Sequence, residues 1–405
     1  MLQDKRILIG VTGSISAYKA CDLVQRLKEK GAEVRVVMTA SAAKLVHPNT
    51  FAALTGSPVA MDAWSDVADG KIRHIELARW ADAFVIAPCT AHTLAELSMG
   101  HTGSLISMTA LAYTGTLIIA PAMNTVMLES DPVREHCSRL SLRGVHLLPT
   151  ANGDLACGEV GEGKLITPEE IVQYVDLILS FGPIPKLNGI KVMVSGGHTE
   201  EPLDGVRFIS NRSSGKTALA LVRAFKLTGA EVHLTLGLAE EPEPAGVWVN
   251  RVHTSAEFQK SISEGQKNSQ VVIMAAAIAD FVPAKTDFGK WKDSRSLKSI
   301  ELQPSPNILQ ELGQKKTPGQ ILVGYALETE SAISNALEKM KARNCDFMVV
   351  NTPLSQAGLG FGEDQVEAAI LNVDTIAEKE KLSAVSKNQL AVDLVRRVAA
   401  KLKAA

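Results

Sequence analysis

Three segments in the first half of the chain carry side chains able to do chemistry on a small acid. Pro121-Ala122-Met123-Asn124-Thr125-Val126-Met127 follows the apolar run Leu117–Ala120. An asparagine just past a buried strand offers a donor and an acceptor, which suits a carboxylate or an amide. The same position equally suits a helix cap. Met123 and Met127 lie one helical turn apart and, taken alone, read as core residues. Asn152–Lys164 carries four glycines in eleven residues and has neither helical nor strand period, which predicts an irregular lid. Its Cys157 is followed by glycine and is poorly placed for core packing. His74 opens His74-Ile75-Glu76-Leu77; it is one of nine histidines, and a surface or satisfied core histidine is the commoner outcome.

The second half offers groups suited to phosphates. Ser210-Asn211-Arg212-Ser213-Ser214-Gly215-Lys216-Thr217 approaches a phosphate loop, but that pattern needs glycine where Ser210 stands. A kinase or NTPase fold is therefore rejected, while the hydroxyls and Gly215 still suit a phosphate at the next helix start. Val271–Ala277 reads as a strand of small side chains leaving room for a base or ribose. Asp280 after it holds a metal or a hydroxyl, or simply caps the strand. Phe281–Leu302, with lysines at 285, 290, 292 and 298, reads as a solvated loop or as a flap over phosphates. Pro304–Leu309 starts a helix with proline in its first turn. The amphipathic helix Gln389–Leu402 reads as structural.

The elements that must position these groups alternate between strands and helices. Arg6–Thr12 is a strand, Gly13–Ser16 turns into a helix ending at Gly31, and Glu33–Met38 is a second strand before the polar turn Thr39–Ser41. Such a βαβ opening points helix-start amides at a phosphate. Only Gly10 and Gly13 of the dinucleotide fingerprint are present, with Ser16 in place of the third glycine, so a mononucleotide fits better. A tight turn without a ligand is the competing reading. Ala83–Ala87 is a further strand, and Pro88–Thr93 puts small hydroxylated residues where a phosphate or a flavin edge would lie. Phe181–Gly189 breaks the pattern as a linker before a fresh strand, Ile190–Ser195. The expectation is an α/β protein of two domains, residues 1–185 and 186–405.

With 405 residues, two domains are the default. Hydrophobic content of 46% and a net charge of −2 give no basic footprint for nucleic acid or an anionic membrane. No apolar run approaches the ~20 residues of a membrane span, and the N-terminus lacks a signal-peptide pattern. Five scattered cysteines form neither a disulfide framework nor metal spacing. A cytoplasmic protein acting on small molecules is expected.

Together, the PxMNxxM segment, His74–Leu77, Gly153–Lys164 and Ser210–Lys216 resemble the bacterial bifunctional phosphopantothenoylcysteine decarboxylase/phosphopantothenate–cysteine ligases of coenzyme A biosynthesis. The likeness runs from the first strand to the last helix. It implies a flavodoxin-like, Rossmann-like flavoprotein sheet with helices on both faces, followed by a Rossmann-like nucleotide-binding domain. FMN would then lie against Gly13, Ser14, Ser16, Thr39, Pro88, Thr90 and Thr93. The resemblance makes His74 the catalytic base and gives the substrate carboxylate to Asn124 beside Met123. It makes Ala156, Cys157 and Lys164 part of a substrate clamp, with Cys157 as proton donor. In the ligase half it implies that Asn211 steadies an acyl-nucleotide. Nucleotide contacts would come from Ala276, Asp280, Lys290, Pro306, Asn307, Ile308, Leu309, Tyr325, Lys339 and Arg343. Mg²⁺ would sit near Asp280, and Lys290 would neutralise phosphate charge.

The implied reactions join 4'-phosphopantothenate to cysteine using CTP, then decarboxylate the product with FMN. Relatives assemble through trimeric decarboxylase and dimeric ligase contacts, compatible with a dodecamer, so a homo-oligomer is expected. This chain departs from the family pattern at Leu128, His92, Lys164-Leu165, Asp293 and Asn307. The last two make a decarboxylase with a weakened or inactive ligase half the alternative. Retention of His74, Asn124 and Cys157 argues against a non-catalytic flavin-binding regulator, and a flavin prenyltransferase-like enzyme leaves residues 190–405 unexplained.

Overall fold

The computed structural model describes residues 2–64, 72–286, 289, 299–328, 331–352, 364–374 and 382–404. The chain forms two compact units, Met1–Gly182 and Pro183–Ala405. In the first, strands β1 (Arg6–Val11), β2 (Glu33–Met38), β3 (Ala83–Cys89), β4 (Thr116–Pro121) and β5 (His146–Leu147) form one parallel sheet in the order 2-1-3-4-5. That is the flavodoxin-like order, and its reversal between β1 and β3 opens a crevice beyond their carboxyl ends.

Every residue of β3 is buried, as is all of β1 after Arg6. Continuous apolar runs are what strands covered on both faces require. On one face Leu8, Phe84 and Ile86 pack with Leu94, Ile106 and Leu140 from helices Ala91–Met99, Leu105–Ala112 and Asp131–Leu142. Ile7, Ile9 and Val11 alternate onto the other face and are fully buried. Helix Lys19–Glu29 meets both the sheet and helix Pro168–Phe181 through Ala20, Leu23, Val24 and Leu27, spaced to form one apolar stripe.

The second unit carries an eight-stranded sheet in the order Trp248–Arg251, Glu231–Leu236, Lys191–Gly196, Val271–Met274, Ile321–Leu327, Phe347–Asn351, Gln365–Asn372, Ser383–Ser386. The first six are parallel and, counted along this unit, run 3-2-1-4-5-6, the Rossmann order. The last two are antiparallel. The C-terminal helix Lys387–Ala404 lies along helix Lys216–Leu227.

Some local expectations change. Asn152–Lys164 is not an irregular lid: Ala151–Asp154 and Val160–Lys164 pair as an antiparallel hairpin with its tip at 155–159. Glycine had hidden the strand period, because these strands are held by backbone hydrogen bonds and not by an alternating apolar face. The turn expected at Thr39–Ser41 begins a single helical turn, Ala40–Ala43, because Thr39 Oγ1 accepts the Ala42 amide. The strand expected to reach Ala277 ends at Met274. The ends of the stretch 281–302 join a short ribbon, Phe281–Pro283 against Leu302–Pro304. Lys290, Lys292, Asp293 and Lys298 lie outside the described residues.

Candidate active site

The crevice of the first unit is built where three strand ends meet three helix starts. Thr12 ties β1 to β3: its Oγ1 donates to the Pro88 carbonyl at 2.8 Å and accepts the Thr90 amide at 3.1 Å. Ser14 Oγ accepts the Ser16 amide and lies 3.0 Å from Ser16 Oγ. Thr39 and Thr90 cap the helices after β2 and β3, and Thr90 Oγ1 lies 3.2 Å from Thr93 Oγ1. Gly13 passes so close to the helix after β2 that a Cβ there would stand 2.5 Å from Ser41 Cβ. These hydroxyls and helix-start amides, at the switch point of a flavodoxin-like sheet, fit an FMN phosphate and the edge of its ring.

Asn124 stands at the carboxyl end of β4. It is both cap and donor: Oδ1 accepts the Met127 amide at 3.2 Å, leaving Nδ2 to donate to Glu159 Oε2 at 2.8 Å. Cys157 completes a triangle, its Sγ 3.6 Å from Asn124 Nδ2 and 3.6 Å from Glu159 Oε2. The hairpin is docked onto the segment before it. Met123 N donates to the Gly163 carbonyl at 3.0 Å, and Thr125 Oγ1 to the Glu162 carbonyl at 2.6 Å. Gly163 has φ +118°, and a Cβ there would sit 2.2 Å from the Met123 carbonyl oxygen, so only glycine fits. Met123 packs against the core as its type suggests, whereas Met127 is 48% exposed. Ala156 lies at the exposed tip. Lys164 lies at the hairpin's base opposite Ala151, away from the tip.

His74 lies on helix Arg73–Trp80. That helix is anchored by Glu76, which pairs with Arg73 and Arg35, while Arg35 stacks 4.4 Å over Trp80. The Nδ1 of His74 is buried and, among the described residues, has no hydrogen-bond partner. No hydrogen bond among the described residues joins His74 to the Asn124–Cys157–Glu159 triangle.

In the second unit a cavity of about 170 Å³ opens beyond the carboxyl ends of the central strands. Ser213–Ala218, Ala275–Ala277, Tyr325 and Lys387 line it. Its floor is held by one backbone bond, Ala277 N donating to Gly197 O at 2.9 Å, and by one side-chain bond, Ala276 N donating to Ser195 Oγ at 3.3 Å. Asn211 Nδ2 reaches the Ala277 carbonyl at 3.4 Å. Among the described residues the buried Tyr325 hydroxyl has no hydrogen-bond partner, and burial pushes its pKa above the ordinary tyrosine range. Helix Lys216–Leu227 begins here with no side-chain cap, a start that suits an anion.

The other residues expected at a nucleotide divide. Asp280 and the 305–309 segment are joined by Ser305 N donating to Asp280 O at 2.9 Å. Asn307 caps helix Ile308–Gln314, its Oδ1 accepting the Gln310 amide at 3.2 Å. Ile308 and Leu309 bury their side chains in the core, which leaves only backbone for a ligand. Lys339, on helix Ala332–Ala342, pairs with Glu328, and Arg343 caps the end of that helix. Among the described residues no three His, Cys, Asp or Glu side chains gather into a metal-binding group.

Two residues in these sites escaped the sequence reading. Glu159 looked like one more polar loop residue, although its place two residues after Cys157 puts both at one hairpin tip. Lys387 precedes the segment Gln389–Leu402 read as a structural helix, and the observed helix starts two residues earlier, on Lys387 itself. It is 8% exposed, and burial first and Lys216 second lower its pKa, against Asp364, Glu240 and Glu241.

A flavodoxin-like unit with a phosphate-ready crevice, followed by a Rossmann unit with an anion-ready cavity, defines a two-domain flavoprotein that also handles a nucleotide. Residues 1–180 match the Flavoprotein family model, and residues 187–402 match the DNA/pantothenate metabolism flavoprotein C-terminal domain. The chain is 36% identical to the coenzyme A biosynthesis bifunctional protein CoaBC of Bacillus subtilis, over 99% of this chain and 98% of that one. It is 35% identical to the CoaBC of Haemophilus influenzae, over 98% of each. It is also 36% identical, over 87% of this chain, to 99% of a cysteine/cysteine sulfinic acid decarboxylase from an unknown prokaryotic organism. The chain belongs to the family of coenzyme A biosynthesis bifunctional proteins, enzymes that combine a decarboxylase with a ligase. Among the described residues no helix is long and apolar enough to cross a membrane.

Proposed function

We propose that the unit ending at Gly182 decarboxylates phosphopantothenoylcysteine with FMN, and that the unit after it makes this substrate from 4'-phosphopantothenate, cysteine and CTP. The observation that carries the reading is the docked hairpin that sets Cys157 beside Asn124. FMN supplies the electron sink that an amino-acid carboxylate lacks. Asn124 Nδ2 holds the carboxylate, with Oδ1 fixed by the helix it caps. His74 takes the proton of the substrate thiol through its imidazole. Cys157 Sγ gives a proton to the final product. The hairpin covers the reacting end and excludes water.

In the second unit the 216 helix start, Lys216 and Lys387 receive phosphate oxygens, and Asn211 orients the activated acyl group. Mg²⁺ needs only one or two protein carboxylates when phosphates supply its other ligands, which suits Asp280. Bound there, it would draw off charge from the phosphates. Lys290 is proposed as a further phosphate contact. Exposed Ile15, Tyr18, Ile72 and Val126 support a homo-oligomer. The similarity to the cysteine/cysteine sulfinic acid decarboxylase favours a second reading, decarboxylation of the free amino acid.

One incubation decides between them. The yellow protein, checked for oligomeric state by light scattering, is supplied with phosphopantothenate, cysteine, Mg²⁺ and CTP or ATP. Phosphopantetheine and pyrophosphate are expected; cysteamine without pyrophosphate would select the second reading, and a monomer with full activity would remove the oligomer.

Lys387 gives a pH signature for the second cavity. Its lowered pKa means the fold favours the neutral amine, so a phosphate in the cavity should draw a proton back onto it. Proton uptake on pyrophosphate binding should therefore grow as pH rises through the lowered pKa of Lys387. Calorimetry in buffers of different ionisation enthalpy measures it. Lys387→Met should abolish the pH-dependent part, and equal uptake by the variant would exclude Lys387 from the anion site. The same shift makes charged Lys387 oppose folding, an effect that fades as pH climbs through its depressed pKa.

A further inference from the structure

The Asn124 amide already holds a carboxylate. Glu159 Oε2 accepts from Nδ2 at 2.8 Å and takes the Cys157 thiol at 3.6 Å. The hairpin tip fixes this placement, with Leu155 N donating to Glu159 O at 2.8 Å and Gly158 N to Leu155 O at 2.9 Å. Among the described residues no cation pairs with Glu159, although it is an exposed acid. Its side-chain partners are the two groups assigned to substrate and product chemistry.

We propose that Glu159 is a built-in placeholder that competes with the substrate carboxylate for Asn124 and so sets how tightly substrate, but not product, is held. The inference rests on the reading that Asn124 takes that carboxylate. Asn124 Nδ2 has two N–H groups and both are already directed, one at Glu159 and one at Cys157, while a second carboxylate brought to the same amide is repelled by the Glu159 charge at contact distance. Substrate must therefore displace Glu159 as it seats. Once carbon dioxide has left, the product has no carboxylate, and Glu159 returns to Asn124 unopposed. The tip thus closes on an empty site and re-closes behind a finished reaction.

The test uses the FMN-loaded full-length protein with phosphopantothenoylcysteine as substrate and phosphopantetheine as product inhibitor. Glu159→Gln keeps the side-chain shape and an acceptor oxygen but removes the charge, which roughly halves the strength of the bond to Asn124. KM should fall by about 3–10-fold, the kinetic equivalent of ~1 kcal/mol, with the product inhibition constant unchanged. Glu159→Asp retains the charge with a shorter reach and should lie between the two, and the flavin spectrum of each variant verifies the fold. Asn124→Ala separates the two layers of the inference. If it raises KM while Glu159→Gln leaves KM unchanged or raises it, the placeholder is overturned and the Asn124 reading stands. If Asn124→Ala leaves KM unchanged, the reading beneath both fails. In Asn124→Ala, adding Glu159→Gln should give no further fall in KM; an undiminished fall would overturn competition at Asn124.

Discussion

Gly163→Ala is expected to cut carbon dioxide release about a hundredfold while leaving pyrophosphate release unchanged. The added Cβ would stand 2.2 Å from the Met123 carbonyl oxygen, on a backbone at φ +118° that disfavours any side chain. Ordinary contact needs about an ångström more, and the strained φ adds roughly 1–3 kcal/mol. The hairpin must lift from the Met123–Thr125 segment, carrying Cys157 away from Asn124. A shift of that size at a reacting group costs on the order of 10²-fold. The flavin crevice lies at β1 and β3, so the yellow colour should persist. Parallel assays of carbon dioxide and pyrophosphate on the same preparation give the answer. Decarboxylation within threefold of the parent would mean the docked hairpin is not needed for catalysis.

The second large effect separates two proton transfers. His74→Asn removes the proposed base and should lower decarboxylation by about 10²–10⁴-fold, with flavin reduction lost in the same proportion. Cys157→Ser should behave differently. The serine hydroxyl is a far weaker acid than the thiol it replaces, so carbon dioxide should still leave in a single turnover while the saturated product fails to form. Stopped-flow absorbance of the flavin, read beside mass analysis of the product, distinguishes the two. Normal turnover by Cys157→Ser would reduce the cysteine to a passenger at the hairpin tip. Flavin reduction at the parent rate in His74→Asn would leave His74 without the role of base.

Much of the scaffold was written locally. The buried runs at 7–11, 83–89 and 347–350 carry no charged or strongly polar side chain because both sheet faces are covered, and such strands announce themselves. Gly31 and the Phe181–Gly189 break mark a helix end and a unit boundary through backbone chemistry alone, as does the cap at Asn124. Asn124, Cys157 and Asn211 could be singled out because motif and strand end coincide. Other features depend on residues far apart in the chain, and no local pattern encodes them. The strand orders 2-1-3-4-5 and 3-2-1-4-5-6 emerge only when crossovers pack, and they decide which loops share a crevice. The hairpin at 151–164 has too many glycines to show a period, and its glycine at 163 makes sense only against the carbonyl of Met123. Glu159 gains meaning from a 2.8 Å bond to a residue 35 positions away. Lys387 becomes a cavity residue because its helix lies along another that begins at Lys216. Local sequence chose the elements, their ends and the reactive side chains; tertiary packing chose which of those side chains meet, because burial and charge act through space and not along the chain.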